Sequence, residues 1–238
     1  MVHLGVDGEG KSNVPQSPPS KSSSHTSVFD LAVGHVNLTD GEIDYNDKKT
    51  SLVADVYDLG TEIRFDPMAR RYSSRIWYDN GHLRYAGYST VPHSLTAKFS
   101  ATPAGVSLES AEIKVGSSAI SLYADMTDYS RPTLEGDYDI RIHTQDFGAM
   151  SRALTPTGDV SLSGKIRYHG TSDHSLLRNL SIDGHIASEA LEAASSEGRL
   201  ELCRLQGRYE LTNGTLHAHN IGADLLGGQS TPMSISSF

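Results

Sequence analysis

Near the N-terminus, Gly5-Val6-Asp7-Gly8-Glu9-Gly10-Lys11-Ser12 satisfies the phosphate-loop spacing G-x4-G-K-S. Such a loop works because a strand leads in and a helix N-terminus leads out, aiming backbone N–H groups at the anion. Only four residues precede Gly5, and Pro15, Pro18 and Pro19 forbid a helix after it. The spacing lacks its context. His217 and His219 set two imidazoles on one strand face, a spacing metal sites use, but no carboxylate follows at ligand spacing except Asp224. His82, His143, His169 and His185 fall on the polar phase of their strands and His174 in a loop, so all read as surface. Cys203 stands on a polar phase beside Arg204, whose charge favours a thiolate, yet the sequence assigns it no histidine partner. No G-x-S-x-G elbow occurs. Asp44, Asp55, Asp137, Asp139, Glu201 and Glu210 alternate with apolar neighbours. A glycosidase needs two carboxyls in one cleft, and solvated strand faces account for these six. Asn37, Asn179 and Asn213 open glycosylation sequons, which act only in a eukaryotic secretory pathway. The expectation is a non-enzymatic chain with no catalytic residue, metal or cofactor.

The elements must therefore present something other than a reaction centre. The chain has 238 residues, with Lys+Arg 20 against Asp+Glu 29 and a formal net charge of -9. That balance argues against a nucleic-acid partner, which calls for a basic face. Hydrophobic residues make up 37% of the chain, with no run near the roughly 18 apolar residues of a membrane span. The single cysteine excludes an internal disulfide and any multi-cysteine metal site. Met1–Ser12 carries Asp7 and Glu9 where a secretory signal has its apolar core. If the protein works outside the cytoplasm, its export signal is expected upstream, on a longer polypeptide.

Residues 1–27, Ser- and Pro-rich from Gly8 onward, read as a disordered linker, because ordering them costs entropy with no burial in return. From Val28 polar and apolar residues alternate with period two, the mark of strands with one wet and one dry face. A glycine followed by polar, apolar, polar, apolar recurs at Gly41, Gly81, Gly136, Gly158, Gly164, Gly198 and Gly207. Chance supplies about one such window, and the glycine is expected at the positive-φ position of a turn or bulge that launches each strand. Further strands are predicted at Phe29–Leu38, Ser51–Tyr57, Ser73–Tyr78, Ser94–Ser100, Val106–Leu108, Ala119–Ala124, Leu180–Ala187 and Thr215–Asn220. Turn signals at Tyr78–Gly81, Thr102–Gly105 and Asn213-Gly214 separate them. One amphipathic helix is predicted over Asp146–Thr155, with Asp146 as cap and Phe147, Met150 and Leu154 on one face; Glu189–Ser195 reads as a second helix or a loop. The class is all-β, a β segment over residues 28–228 followed by a frayed tail at 229–238. So many amphipathic strands create an apolar face that must be covered by a second sheet, barrel closure, stacked coils or a non-protein apolar ligand.

Among those covers the residues alone do not choose, but the order of features resembles the AsmA/TamB-like bacterial envelope proteins. FDLAVGHVNLTDGEIDYND resembles the family's opening apolar strand followed by G-x-I-x-Y and an acidic turn residue. The run from Leu95 to Ile142, with Gly116–Leu122 entering a strand and Pro132 and Leu134 in a turn, resembles its long hairpin stretch. DFGAMSRALTPTGDVSLSGKIRYHG resembles its short helix and G-x-V-x-L-x-G strand, and Ile221–Gly228 its closing L-L-G-G. The resemblance covers residues 29 to 228, through degenerate motifs whose weight lies in their sum. The chain departs from the family in lacking an N-terminal membrane anchor and in ending with STPMSISSF where further strands are expected.

The resemblance implies a long, strongly curved antiparallel sheet, an open taco-like groove whose dry concave face carries phospholipid acyl chains between inner and outer membranes or assists outer-membrane assembly. It implies a periplasmic place in the cell envelope, anchored to the inner membrane through a segment outside this chain. Inner- and outer-membrane proteins would be partners at the ends of the full-length protein. The residues it assigns to the groove are Ile43, Tyr45, Ile63, Phe65, Leu83, Tyr85, Ile113, Val115, Tyr138, Ile140, Ile166, Tyr168, Leu200, Leu202, Tyr209 and Leu211. The alternatives are a carbohydrate-binding or adhesive β-solenoid or β-sandwich, and a small β-barrel carrier. The glycine windows have no constant step, which disfavours a solenoid.

Overall fold

The computed structural model describes residues 2–7, 9, 29, 33–86, 88–150, 155–170, 176–195, 198–225, 228–229 and 233–235. It divides into two compact units, Met1–Pro103 and Ala104–Phe238. In the first, β1 (Val2–Val6), β2 (His35–Asp47), β3 (Leu52–Asp66), β4 (Arg71–Tyr85) and β5 (Val91–Thr102) are hydrogen-bonded in chain order. All these pairings are antiparallel except the first, in which β1 runs parallel to β2 with Val2 opposite Ile43 and Val6 opposite Asp47. Val2–Val6 therefore forms a strand where the sequence reading places a disordered lead-in; Gly8, 10–28 and 30–32 lie outside the described residues. The strand predicted from Phe29 begins at His35.

The second unit runs through β6 (Gly105–Val115), β7 (Ser118–Thr127), β8 (Thr133–His143), β9 (Thr155–His169), β10 (Leu180–Ser195), β11 (Gly198–Thr212) and β12 (Thr215–Leu225), again paired in chain order. Two short strands, β13 (Gly228–Gln229) and β14 (Met233–Ile235), pair with β12. Apart from the parallel β1, each unit is an open antiparallel meander, and among the described residues neither sheet closes on itself.

The acidic surplus has a local use at the strand ends. Asp47 Oδ1 accepts the Lys49 and Thr50 amides at 2.8 and 3.2 Å. Asp66 Oδ1 accepts those of Met68 and Ala69 at 2.9 and 3.1 Å. Asp128 Oδ1 accepts those of Ser130 and Arg131 at 3.0 and 3.2 Å. A carboxylate taking the amides two and three residues onward is the Asx-turn that makes aspartate a turn former. Inside the strands, left-handed Asp40, Asp58, Arg204 and Asn220 lie at register shifts of β2, β3, β11 and β12. Each bulge turns the following residues over, so the dry face keeps to one side of the sheet although the sequence alternation changes phase.

Four expectations are corrected. Tyr78–Gly81 is no turn: β4 runs through it, and the irregularity against β5 is a bulge, which Asp, Asn and Gly signal equally well. The helix expected over Asp146–Thr155 is a 3-10 helix over Thr144–Met150, residues 151–154 lie outside those described, and Thr155 opens β9. Asp146 caps no helix. It ties the β6–β7 turn, accepting Ser117 N at 2.9 Å, Ser118 N at 2.8 Å and Ser118 Oγ at 2.7 Å. Glu189–Ser195 is strand, because cross-strand pairing with β9 and β11 overrides the helix propensity of its alanines and glutamates. Finally, of the seven window glycines only Gly158 has φ in the left-handed region. Gly136, Gly164 and Gly207 lie within strands, where their bare backbone admits a neighbour: a Cβ on Gly207 would stand 2.1 Å from Ile221 Cδ1.

Candidate functional site: the apolar sheet faces

Register carries the alternation across whole sheets. In the second unit, Ile113, Ile120, Ile140, Leu162, Ile186, Gly207 follow one another on successive strands, and the row two residues along each strand reads Ala111, Leu122, Tyr138, Gly164, Gly184, Tyr209, Ala218. A third row reads Leu108, Ala124, Gly136, Ile166, Ile182, Leu211, Leu216. Between them, on the other face, lie rows such as Ser121, Asp139, Ser163, His185, Arg208, His219 and Tyr123, Asp137, Lys165, Asp183, Glu210, His217. The polar face pairs its charges: Lys165 with Asp137 at 3.4 Å, Arg208 with Asp183 at 3.6 Å and Arg141 with Asp139 at 3.5 Å. In the first unit the dry rows include Ile43, Val56, Gly81; Tyr45, Ala54, Leu83, Val91; and Phe65, Tyr72, Ala101.

Fifteen of the sixteen predicted groove residues take register positions on the dry face of their own unit. Ile43, Tyr45, Ile63, Phe65, Leu83 and Tyr85 share the first sheet's face. Ile113, Val115, Tyr138, Ile140, Ile166, Tyr168, Leu202, Tyr209 and Leu211 share the second's, and Leu200 takes its register position opposite Ala193. The predicted groove list omits Leu122, Leu162, Ile182, Ile186 and Leu216, which strand register adds to that face.

These faces are not sealed. Among the described residues only Phe29, Val91 and Ala97 are buried hydrophobics, and no large side chain is fully buried. Most of the dry-face residues are half-buried by their neighbours, whereas Leu83, Tyr85 and Ile120 are 38%, 48% and 36% exposed. On the first unit the Phe29 ring, which belongs to no strand, packs on Tyr72 at 5.5 Å, and Tyr72 in turn on Phe65 at 4.5 Å. Two polar atoms there, Ser74 Oγ and His93 Nδ1, are buried without a hydrogen-bond partner.

On the second unit the dry face has a polar feature of its own. Tyr138 and Tyr209 stand on β8 and β11, and their hydroxyls meet at 2.6 Å above Gly164 and Gly184. Burial of the Tyr138 phenol, and then its bond to Tyr209, push its pKa well above the ordinary tyrosine value.

The candidates for chemistry disperse. Gly5 lies inside β1, and Gly10, Lys11 and Ser12 of the phosphate-loop spacing lie outside the described residues, as does His174. The His217 and His219 rings stack 6.2 Å apart on the polar face, and Asp224 is engaged by Arg204. Among the described residues no three His, Cys, Asp or Glu side chains converge as a metal site. The Cys203 thiol points to Glu201 at 3.7 Å, and Arg204 serves Asp224 instead. A recess of about 770 Å³ opens among Arg141, His143, Asp159, Ser161, Glu189 and Arg204, in which Arg141 pairs with Asp139, His143 with Asp159 and Arg204 with Asp224. Neither a family model, nor a curated protein, nor a solved structure matches the chain.

Proposed function

We propose that this chain is a non-enzymatic, lipid-handling segment of a cell-envelope protein of the AsmA/TamB kind, whose apolar sheet faces hold phospholipid acyl chains. The observation that carries the reading is the unsealed dry face: apolar rows cross each sheet, half-buried, opposite a face of paired charges. Hydrocarbon tails need contiguous apolar surface and few polar contacts, and covering such rows removes area from water at about 25 cal/mol per Å². The seating of Phe29 on Tyr72 supports the reading too, since an apolar group from outside the strands settles on that face. Passage of lipid between inner and outer membranes, aid to outer-membrane assembly, a periplasmic location and membrane-protein partners at the ends follow from the resemblance and belong to the same proposal. A stacked-coil solenoid accords poorly with antiparallel meanders, whose strands pair with their chain neighbours.

Native mass spectrometry of the purified chain tests the proposal. Phospholipid is expected to copurify, and Ile166→Asp with Leu211→Asp, which puts two carboxylates in one dry row, is expected to lower it by about tenfold or more. Ser163→Asp, on the polar face between Asp139 and His185, should leave it unchanged. Lipid content indifferent to the dry-face pair would reject the assignment.

A further inference from the structure

We propose that the Tyr138–Tyr209 hydroxyl pair is a hydrogen-bonding station on the second unit's apolar face, holding the carbonyl oxygen of a long-chain acyl ester. This rests on the reading of that face as an acyl-chain site and adds which part of the ligand is recognised, and where.

The row that carries the pair is unlike its neighbours. Between Tyr138 and Tyr209 stand only Gly164 and Gly184. A Cβ on Gly164 would lie 2.6 Å from the Tyr138 hydroxyl; one on Gly184 would lie 2.5 Å from Tyr209 Cζ. The two rings thus lie over bare backbone across two intervening strands, with no room for any side chain beneath. Glycine inside a strand costs stability relative to alanine, so the flat tyrosines are kept against local preference. Such a conflict between local rule and global structure points to a functional position. On either side, about 7 Å away along the strands, stand Ile140, Leu162 and Ile186 in one row and Ile166, Ile182 and Leu211 in the other. The tyrosine row is therefore a low track between two branched ridges.

The hydroxyl chemistry selects the ligand group. Two phenols bring two protons, and their mutual bond uses one. Among the described residues neither hydroxyl makes another hydrogen bond, so one O–H remains to be donated. The donor is neutral, and the flanking rows bring no cation. A carboxylate or phosphate set here would lose its water without gaining a counter-charge, whereas a carbonyl oxygen needs only the one donor. An ester at the head of an acyl chain fits both the track and the station.

The test is displacement of a fluorescent apolar dye, N-phenyl-naphthylamine, from the purified chain by methyl palmitate, by hexadecane and by palmitate. Wild type should favour the ester over the hydrocarbon by about three- to tenfold, the worth of one hydrogen bond, and over the carboxylate as well. Tyr138→Phe with Tyr209→Phe keeps both rings and should erase the preference while hexadecane binds as before. Equal binding of ester and hydrocarbon by wild type overturns the station and leaves the acyl-chain reading standing, as does a preference that survives in the double variant or a stronger preference for palmitate. Failure of all three ligands to displace the dye overturns both.

Discussion

At the end of β8 the His143 ring sits between two acceptors, with Nδ1 2.6 Å from Asp159 Oδ1 and Nε2 2.8 Å from Gln145 Oε1. Both nitrogens can be satisfied in this way only as donors, which is the imidazolium. The bond to Asp159, followed by that to Gln145, raises the His143 pKa above the ordinary histidine value despite some desolvation. A raised folded-state pKa means that the stabilisation is fully present below the unfolded-state value and is lost as pH rises through the folded one. The pair lies in water, with Asp159 80% exposed, so the contribution to stability is small. The expected result is a ring-proton NMR titration of His143 with its midpoint above about 6.5, returning toward that value in Asp159→Asn. A wild-type midpoint at or below the ordinary value would show that the two side chains part in solution. Donating from both nitrogens, the ring keeps no lone pair with which to take up a proton.

The strand elements depend on where glycine is needed and where it is merely present. A Cβ on Gly164 would stand 2.2 Å from the Asp183 carbonyl oxygen, so β9 and β10 would have to part. Around Gly222 in β12 nothing lies within 4 Å. Gly164→Ala is expected to destabilise by about 1–3 kcal/mol through overpacking. Gly222→Ala should stabilise by about 0.4–1 kcal/mol, by narrowing the unfolded ensemble. Urea denaturation of the two variants decides it, and equal midpoints would mean that the strands yield at Gly164. This contrast also marks how far the sequence was legible. Period-two alternation placed Ile140, Ile166 and Tyr209 on the dry side correctly, because a half-buried sheet imposes that period on each strand by itself. It could not place Gly164 beneath Tyr138, or bring Tyr138 to Tyr209 across 71 residues, since register is fixed by pairing among strands and no single segment encodes it. Bulges hid strand lengths in the same way: Asp79-Asn80-Gly81 is turn chemistry, and β4 absorbs it because the flanking residues on both sides pair with β3 and β5.

Across the whole molecule each unit presents an apolar face that its own strands leave half open, the kind of surface that marks an interaction site. Under the proposed function two covers would compete for it, a lipid tail and a second copy of the chain presenting the same face. Their free energies scale with buried apolar area, but only self-association depends on protein concentration. The paired charges of the polar face, with a net charge of -9, oppose aggregation through that side and leave the dry side as the place where copies would meet. Delipidated chain is therefore expected to associate as concentration rises in sedimentation velocity, and added phospholipid should return it to monomer. Ile166→Asp with Leu211→Asp should stay monomeric in either condition, because a carboxylate buried at such an interface would be left unpaired. If the delipidated wild type remained monomeric at every concentration and bound no apolar dye, the dry faces would already be closed in solution, and acyl chains would have no surface left to occupy.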